Sequence, residues 1–285
     1  MVMHYPRVLT IAGSDSGGGA GIQADIKAIS ATGSYAASAI TAVTVQNTLG
    51  VEYVYPVPPE IIAAQIRCVL TDIGADAIKI GMLHSTEVVL AVRDSLLEFF
   101  VPGETAAPRN IVLDPVMVAT SGHRLIEESA IRVLSSELIP IARVITPNIP
   151  EAEILGDTKV HFQSELPALA CKLSLGGRVS VLLKAGHLTD DRLVDIFYNA
   201  EEDRILELPS ERVHTPNTHG TGCTLSSAFA SYLAQGLSLD DAARAATAYI
   251  HQAIVSGSRY EIGHGHGPVD HFWRQRHFLQ NADNQ

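Results

Sequence analysis

The chain has 285 residues, 46% of them hydrophobic and 18% charged, with 22 glycines and 14 prolines, which excludes a disordered or low-complexity chain and is enough to bury one large core. Asp and Glu number 31 against 20 Lys and Arg, and the net charge of −11 excludes a general polyanion binder, so attraction for an anionic ligand has to be local. Cys68, Cys171 and Cys223 form no CxxC pair, and no uncharged apolar run suits a membrane span or a signal peptide, so the sequence reads as a soluble, cytoplasmic protein with no membrane or nucleic-acid partner.

In chain order, Val8–Ala12 is a short apolar strand that runs into a glycine loop, Gly13 to Gly21, and then a helix from Ile22 to Ala31. A second strand spans Ala39 to Gln46, Asn47–Gly50 is a turn, and Val51–Tyr55 alternates. Pro56, Pro58 and Pro59 prepare a helix in which Ile62, Ile66, Leu70 and Ile73 recur at helical spacing, followed by a strand at Ala75–Ile80. The pattern repeats with a helix at Glu87–Phe100, a strand at Ile111–Leu113, a helix at Glu127–Glu137 and a strand at Arg143–Ile145. It continues with a helix at Leu166–Leu175 and a strand at Val179–Leu183. Leu193–Tyr198 and Arg204–Leu208 read as an antiparallel hairpin at the sheet edge. Two helices close the core, one lined by Leu225, Phe229 and Leu233, the other by Leu239, Ala243, Ala246, Ile250 and Ile254. This alternation predicts an α/β fold: one domain, a mostly parallel sheet with helices on both faces, and residues 273–285 as a loose tail. Such sheets bind ligands beyond the carboxyl ends of their strands.

The loops there carry the chemistry. Asn217-Thr-His-Gly-Thr-Gly-Cys223 opens an apolar helix, where backbone N–H groups and the helix dipole favour an anion and small residues allow it to approach. An ordinary glycine turn is the alternative for Gly220 and Gly222 alone. Cys223, in the first helical turn, is expected to have a lowered pKa and to serve as a base, or else to be a small buried hydrophobe. Gly19-Ala-Gly-Ile-Gln-Ala24 satisfies a loose dinucleotide pattern, but the second strand ends Val45-Gln46-Asn47 without the acid that would hold a ribose. Gln46 offers an amide that can read a heteroaromatic edge. Lys79, Met82, Asp114, Asn148, Glu151 and Lys184 follow other strands; Asp114 and Glu151 suit Mg²⁺, with an acid in the first turn of a helix the alternative for Glu151. No P-loop, GxSxG, HExxH or protein-kinase motif is present, and His264-Gly-His266, His271 and His277 match no standard metal spacing.

Taken together, Ala12-Gly-Ser-Asp-Ser-Gly-Gly-Gly-Ala-Gly-Ile-Gln-Ala-Asp25, Ala42-Val-Thr-Val-Gln-Asn-Thr48, Lys79-Ile-Gly-Met-Leu83, Leu113-Asp-Pro-Val-Met117, Thr146-Pro-Asn148 with Glu151, Leu183-Lys-Ala-Gly-His187 and Asn217–Cys223 carry a resemblance. From Arg7 to Phe272 the chain resembles the hydroxymethylpyrimidine/phosphomethylpyrimidine kinases of thiamine biosynthesis, a branch of the ribokinase-like superfamily. The resemblance implies a ribokinase-like fold and homodimer, with ATP and Mg²⁺ serving phosphorylation of 4-amino-5-hydroxymethyl-2-methylpyrimidine and then of its monophosphate. It places Gly13, Asp25, Gln46, Met82 and Val118 on the pyrimidine. Gly220, Thr221 and Gly222 become the anion hole and Cys223 the base. Lys184, Asn148 and Thr218 fall on ATP, and Asp114 and Glu151 on Mg²⁺. One departure is Lys184-Ala-Gly where many relatives have Lys-Gly-Gly, which matters only if Ala185 needs positive φ. A pyridoxal/pyridoxine kinase is the nearest alternative, then a non-catalytic nucleotide-binding regulator, then an NAD-dependent oxidoreductase. Asn47–Gly50 and Ala119–His123 are candidate lids.

Overall fold

The strands β1 (Arg7–Asp15), β2 (Tyr35–Asn47), β3 (Gly50–Pro56), β4 (Ala77–Ile80), β5 (Ile111–Leu113), β6 (Val144–Ile145), β7 (Ser180–Leu183), β8 (Arg192–Asn199) and β9 (Arg204–Glu211) join in one sheet. Its order is β3-β2-β1-β4-β5-β6-β7-β8-β9. The computed structural model describes residues 3–99, 110–117, 125–188 and 190–276. From β2 to β7 the neighbours pair parallel. The expected hairpin, β8 with β9, lies antiparallel at one edge. The opposite edge is antiparallel too, because β3 returns directly along β2; its short turn leaves no room for the dozen or more residues of a parallel crossover.

The helices are α1 (Gly21–Ala31), α2 (Pro59–Asp72), α3 (Thr86–Phe99), α4 (Glu128–Val133), α5 (Ile149–Gly156), α6 (Leu166–Leu173), α7 (Thr221–Ala234) and α8 (Leu239–Gly257). The helix expected at 127–137 is regular only through α4; it widens at Leu134–Leu138 and tightens at Ile139–Ile141, where Pro140 has no N–H to continue the ladder. Residues 273–276 are not loose: they form a helical turn, Arg274 lies over the Tyr249 ring of α8, and Arg276 pairs with Asp270. Among the described residues no helix is long and apolar enough to cross a membrane.

Strand residues divide by parity between two cores. Leu9, Ile11, Ile78, Ile80, Ile111, Leu113, Ile145, Val181 and Leu183 pack with α2, α3 and α6 on one face. Val8, Ala77, Val112, Val144 and Leu182 pack with α1, α7 and α8 on the other. Period-two alternation with both sides apolar is what a sheet covered on both faces requires.

Thr10 and Lys79 share the parity of the second face, and there the apolar pattern breaks. The Lys79 Nζ lies 2.9 Å from both carboxylate oxygens of Asp25, and both side chains are 0% exposed. Thr10 and Ser227 hydroxyls donate to the same carboxylate at 2.6 and 2.8 Å. Burial alone would lower the Lys79 pKa, but Asp25, with lesser help from Cys223 and Asp114, raises it, so the ammonium stays charged. The contact joins β1, β4, α1 and α7. Removing one partner of a buried pair leaves an uncompensated charge and costs about 3–5 kcal/mol. Lys79→Met is therefore expected to lose roughly that much in urea unfolding, and adding Asp25→Leu to recover at least part of it; a single variant as stable as wild type would refute the role.

Candidate active site

Two glycine loops meet at the carboxyl ends of the strands. The first follows β1, whose register with β2 shifts at Gly13, and ends at Gly21, whose φ of +56° admits no side chain without strain. The second ends at Gly220, the N-cap of α7, with φ of +80°. A Cβ on Gly220 would stand 1.8 Å from the carbonyl oxygen of Gly19, so the two backbones touch and only glycine fits.

Asp15 organises the first loop. Its carboxylate accepts the N–H groups of Gly17, Gly19 and Ala20 at 2.8, 3.1 and 2.8 Å, and lies 2.8 Å from Nε2 of His219. Burial pushes its pKa up, but the His219 hydrogen bond and the Ala20 and Gly17 N–H groups outweigh that and hold it below the usual carboxylate range.

Between the loops and the ends of β4 to β7 opens a cavity of about 570 Å³. One part is charged. Lys184 Nζ stands 3.0 Å from Asp114 Oδ1, which also accepts from the Thr146 hydroxyl at 3.0 Å. A Cβ on Gly222 would lie 3.2 Å from that ammonium and 3.4 Å from the Asp114 carboxylate, so the pair sits against the first turn of α7. Burial would lower the Lys184 pKa, yet Asp114 and Glu151 keep it above its usual value. Burial, opposed by Lys184 and reinforced by Asp114, pushes the Glu151 carboxyl up to about 7. The other part is apolar, walled by Val213, Leu225, Ile250 and Ile254.

Gly13, Gln46, Met82, Asp114, Asn148, Glu151, Lys184, Thr218 and Gly220 to Cys223 all border this cavity. Met82 covers Gly13, since a Cβ there would be 3.2 Å from its sulfur. Val118 and Ala119–His123 lie outside the described residues. Asp25, expected on the pyrimidine, does not line the cavity: its carboxylate is 0% exposed and already holds Lys79, Thr10 and Ser227. Glu151 combines both readings, because it borders the cavity and completes a capping box on α5, accepting the Asn148 N–H at 2.8 Å while Asn148 accepts its N–H at 2.9 Å. The first-turn acid was expected, and the reciprocal bond with Asn148 is what the Asn-Ile-Pro-Glu spacing adds. Ala185 is not in the positive-φ region; it is buried and donates its N–H to Asp195 at 2.7 Å.

Cys223 departs from expectation. Burial pushes the thiol up to about 11; Lys79 pulls it down, Asp25 and Asp114 push it further up, and a backbone hydrogen bond from Gly21 opposes them. Desolvation outweighs the helix N-terminus, so the resting group is a thiol and not a thiolate. The residues missed by sequence reasoning are Asp15 and His219, which are 204 positions apart and meet inside the site. The signal present was a carboxylate within a glycine loop and a histidine next to Gly220.

The phosphomethylpyrimidine kinase family profile matches residues 15–270. A hydroxymethylpyrimidine/phosphomethylpyrimidine kinase of Rhizobium meliloti (strain 1021) is 47% identical over 267 residues, covering 93% of this chain and 97% of that one. The thiamine biosynthesis bifunctional protein ThiED of Geobacter sulfurreducens is 45% identical over 269 residues, 94% of this chain, and the chain spans 53% of its length. A solved structure of Bacillus subtilis pyridoxal kinase in complex with ADP superposes with a TM-score of 0.84 at 32% identity, covering 95% of this chain and 99% of that one.

The thiol assignment is open to direct titration. In a Cys68→Ser/Cys171→Ser background, which removes the two exposed thiols, iodoacetamide is expected to alkylate Cys223 at pH 7.5 roughly 100-fold more slowly than an ordinary free cysteine. The rate should still be rising at pH 10; a plateau near pH 8 would contradict the assignment.

Proposed function

The chain belongs to the phosphomethylpyrimidine kinase family, and from that membership we propose that it uses ATP to phosphorylate 4-amino-5-hydroxymethyl-2-methylpyrimidine and then its monophosphate, in thiamine biosynthesis. The observation that carries this reading is the Lys184–Asp114 pair set against Gly222 at the start of α7. A positive ammonium and outward N–H groups converge there on one small volume, which is what a transferring phosphoryl group needs.

Gln46, with Gly13 and Met82, binds the pyrimidine and orients its hydroxymethyl group. Gly220, Thr221 and Gly222 form the anion hole, and Lys184, Asn148 and Thr218 hold the ATP phosphates. The apolar wall of Leu225, Ile250 and Ile254 supports a nucleobase, in keeping with the ADP held by the pyridoxal kinase of the same fold. Cys223 contacts the substrate hydroxyl as a thiol. A loose phosphoryl transition state makes little demand for a base before bond formation, so the hydroxyl proton leaves late, to an oxygen of the phosphoryl group as the new O–P bond forms and the bond to ADP breaks.

The donor set fits Mg²⁺. Among the described residues no group of three or more His, Cys, Asp and Glu could hold a metal, but Mg²⁺ takes one or two carboxylates and completes its shell with water and substrate phosphates. Asp114 would hold it directly and Glu151 through water. When bound, the ion neutralises charge on the phosphates of ATP. The apolar face of the β2–β3 ribbon supports the homodimer. Val43 pairs with Tyr55 and Val45 with Tyr53, and these four side chains are 46%, 59%, 50% and 59% exposed.

ADP release is expected with MgATP and either hydroxymethylpyrimidine or its monophosphate. Lys184→Met should lower kcat/KM by about 100-fold or more. Release with pyridoxal alone would favour the alternative, and release with none of these substrates would remove the kinase reading. Because Glu151 titrates near 7, the Mg²⁺ concentration for half-maximal rate should rise as pH falls from about 8 to 6 in wild type, but not in Glu151→Gln. Light scattering should give twice the chain mass for wild type and the single mass for Val45→Glu/Tyr53→Glu.

A further inference from the structure

His219 stands between the two ends of the cavity. Its Nε2 is 2.8 Å from Asp15 Oδ2 and 3.3 Å from Gln46 Nε2. Asp15 is held ionised by its donors, so it accepts, and Nε2 of His219 carries the proton. A protonated Nε2 offers Gln46 no acceptor, and the Gln46 amide N–H groups remain for a ligand. The next residue along the chain is Gly220, the cap of α7.

A second connection joins the same two places through the Gly-His-Gly-His-Gly run at 263–267, to which the chemistry above gives no role. Thr48, two residues beyond Gln46, accepts the N–H groups of His264 and Gly265 on its hydroxyl, both at 3.2 Å, and that of His266 on its carbonyl at 2.9 Å. The run ends at Gly267, whose carbonyl accepts the His219 N–H at 3.0 Å. A Cβ on Gly263 or Gly265 would lie 2.2 or 2.1 Å from Thr48, so the grip exists only with glycine there. Asn47–Gly50, expected as a lid, is thus fastened at Thr48.

We propose that His219 is a positioning residue which, with Asp15 and the 263–267 loop, couples occupancy of the pyrimidine end at Gln46 to the placement of the anion hole at Gly220–Cys223. The inference deepens the kinase reading and rests on it. A ring nitrogen that takes an N–H of Gln46 draws the end of β2 and with it Thr48, and the 263–267 run carries that shift through the Gly267 carbonyl to the His219 N–H beside the cap of α7, while Asp15 pins the imidazole. A misplacement of about 1 Å at a reacting group is worth on the order of 100-fold in rate.

The test compares His219→Ala with His219→Gln, which keeps a side-chain N–H for Asp15. With hydroxymethylpyrimidine and MgATP, His219→Ala is expected to lose roughly 10- to 100-fold in kcat with KM for ATP within about 3-fold. His219→Gln should recover most of the kcat at the same melting temperature as His219→Ala. In ¹⁵N-labelled wild type, the downfield Nε2–H signal of His219 should move when the pyrimidine is added without nucleotide. Equal losses in the two variants, or a signal that stays in place, would overturn the proposal. If wild type itself releases no ADP the kinase reading fails, and the signal alone then decides the coupling.

Discussion

Asp25 and Lys79 meet where no water reaches, and the rest of the molecule is arranged around that meeting. Asp25 lies in α1, which follows the first glycine loop, and Ser227, bonded to the same carboxylate, lies in α7, which follows the second. Holding both helices to β1 and β4 at one charged point sets the distance between their N-termini, and so between the loops. An apolar contact of equal area allows sliding; a carboxylate with its donors in place does not. The price is a buried carboxylate and ammonium that must form together or not at all.

Above that point the site is built from charges that restrain one another. Lys184 draws on both Asp114 and Glu151, and Glu151 is raised to about 7 by the burial that makes it an effective helix cap. The global charge of −11 repels a polyphosphate, whereas one lysine and one helix N-terminus reverse that sign over a few ångströms. The field that matters for catalysis is local, and low exposure preserves it from screening.

Much of this was legible in the residues. Strand and helix alternation followed from hydrophobic period, and Gly220 and Gly222 announced a backbone that something approaches closely. What escaped had physical reasons. The antiparallel β3 looked like any alternating strand, because direction is set by turn length and not by composition. Asp25 was read as a ligand contact because its motif position shows chemistry but not solvent access. For Cys223 the residues leave the helix dipole and burial both open, and only the packing shows that desolvation exceeds the dipole. Asp15 and His219 are 204 positions apart, and no local pattern reports a contact of that span.

The contact between Gly19 and Gly220, reinforced by the bridge from His219 to Pro268, also has a temporal meaning. During synthesis at about 5–20 residues per second, the first loop leaves the ribosome on the order of tens of seconds before the segments that complete it. Until then Gly19 lacks its contact with Gly220, and Asp15 lacks its contact with His219. A truncated or stalled chain that lacks the segment around Gly220 therefore lacks the backbone that packs against the first glycine loop.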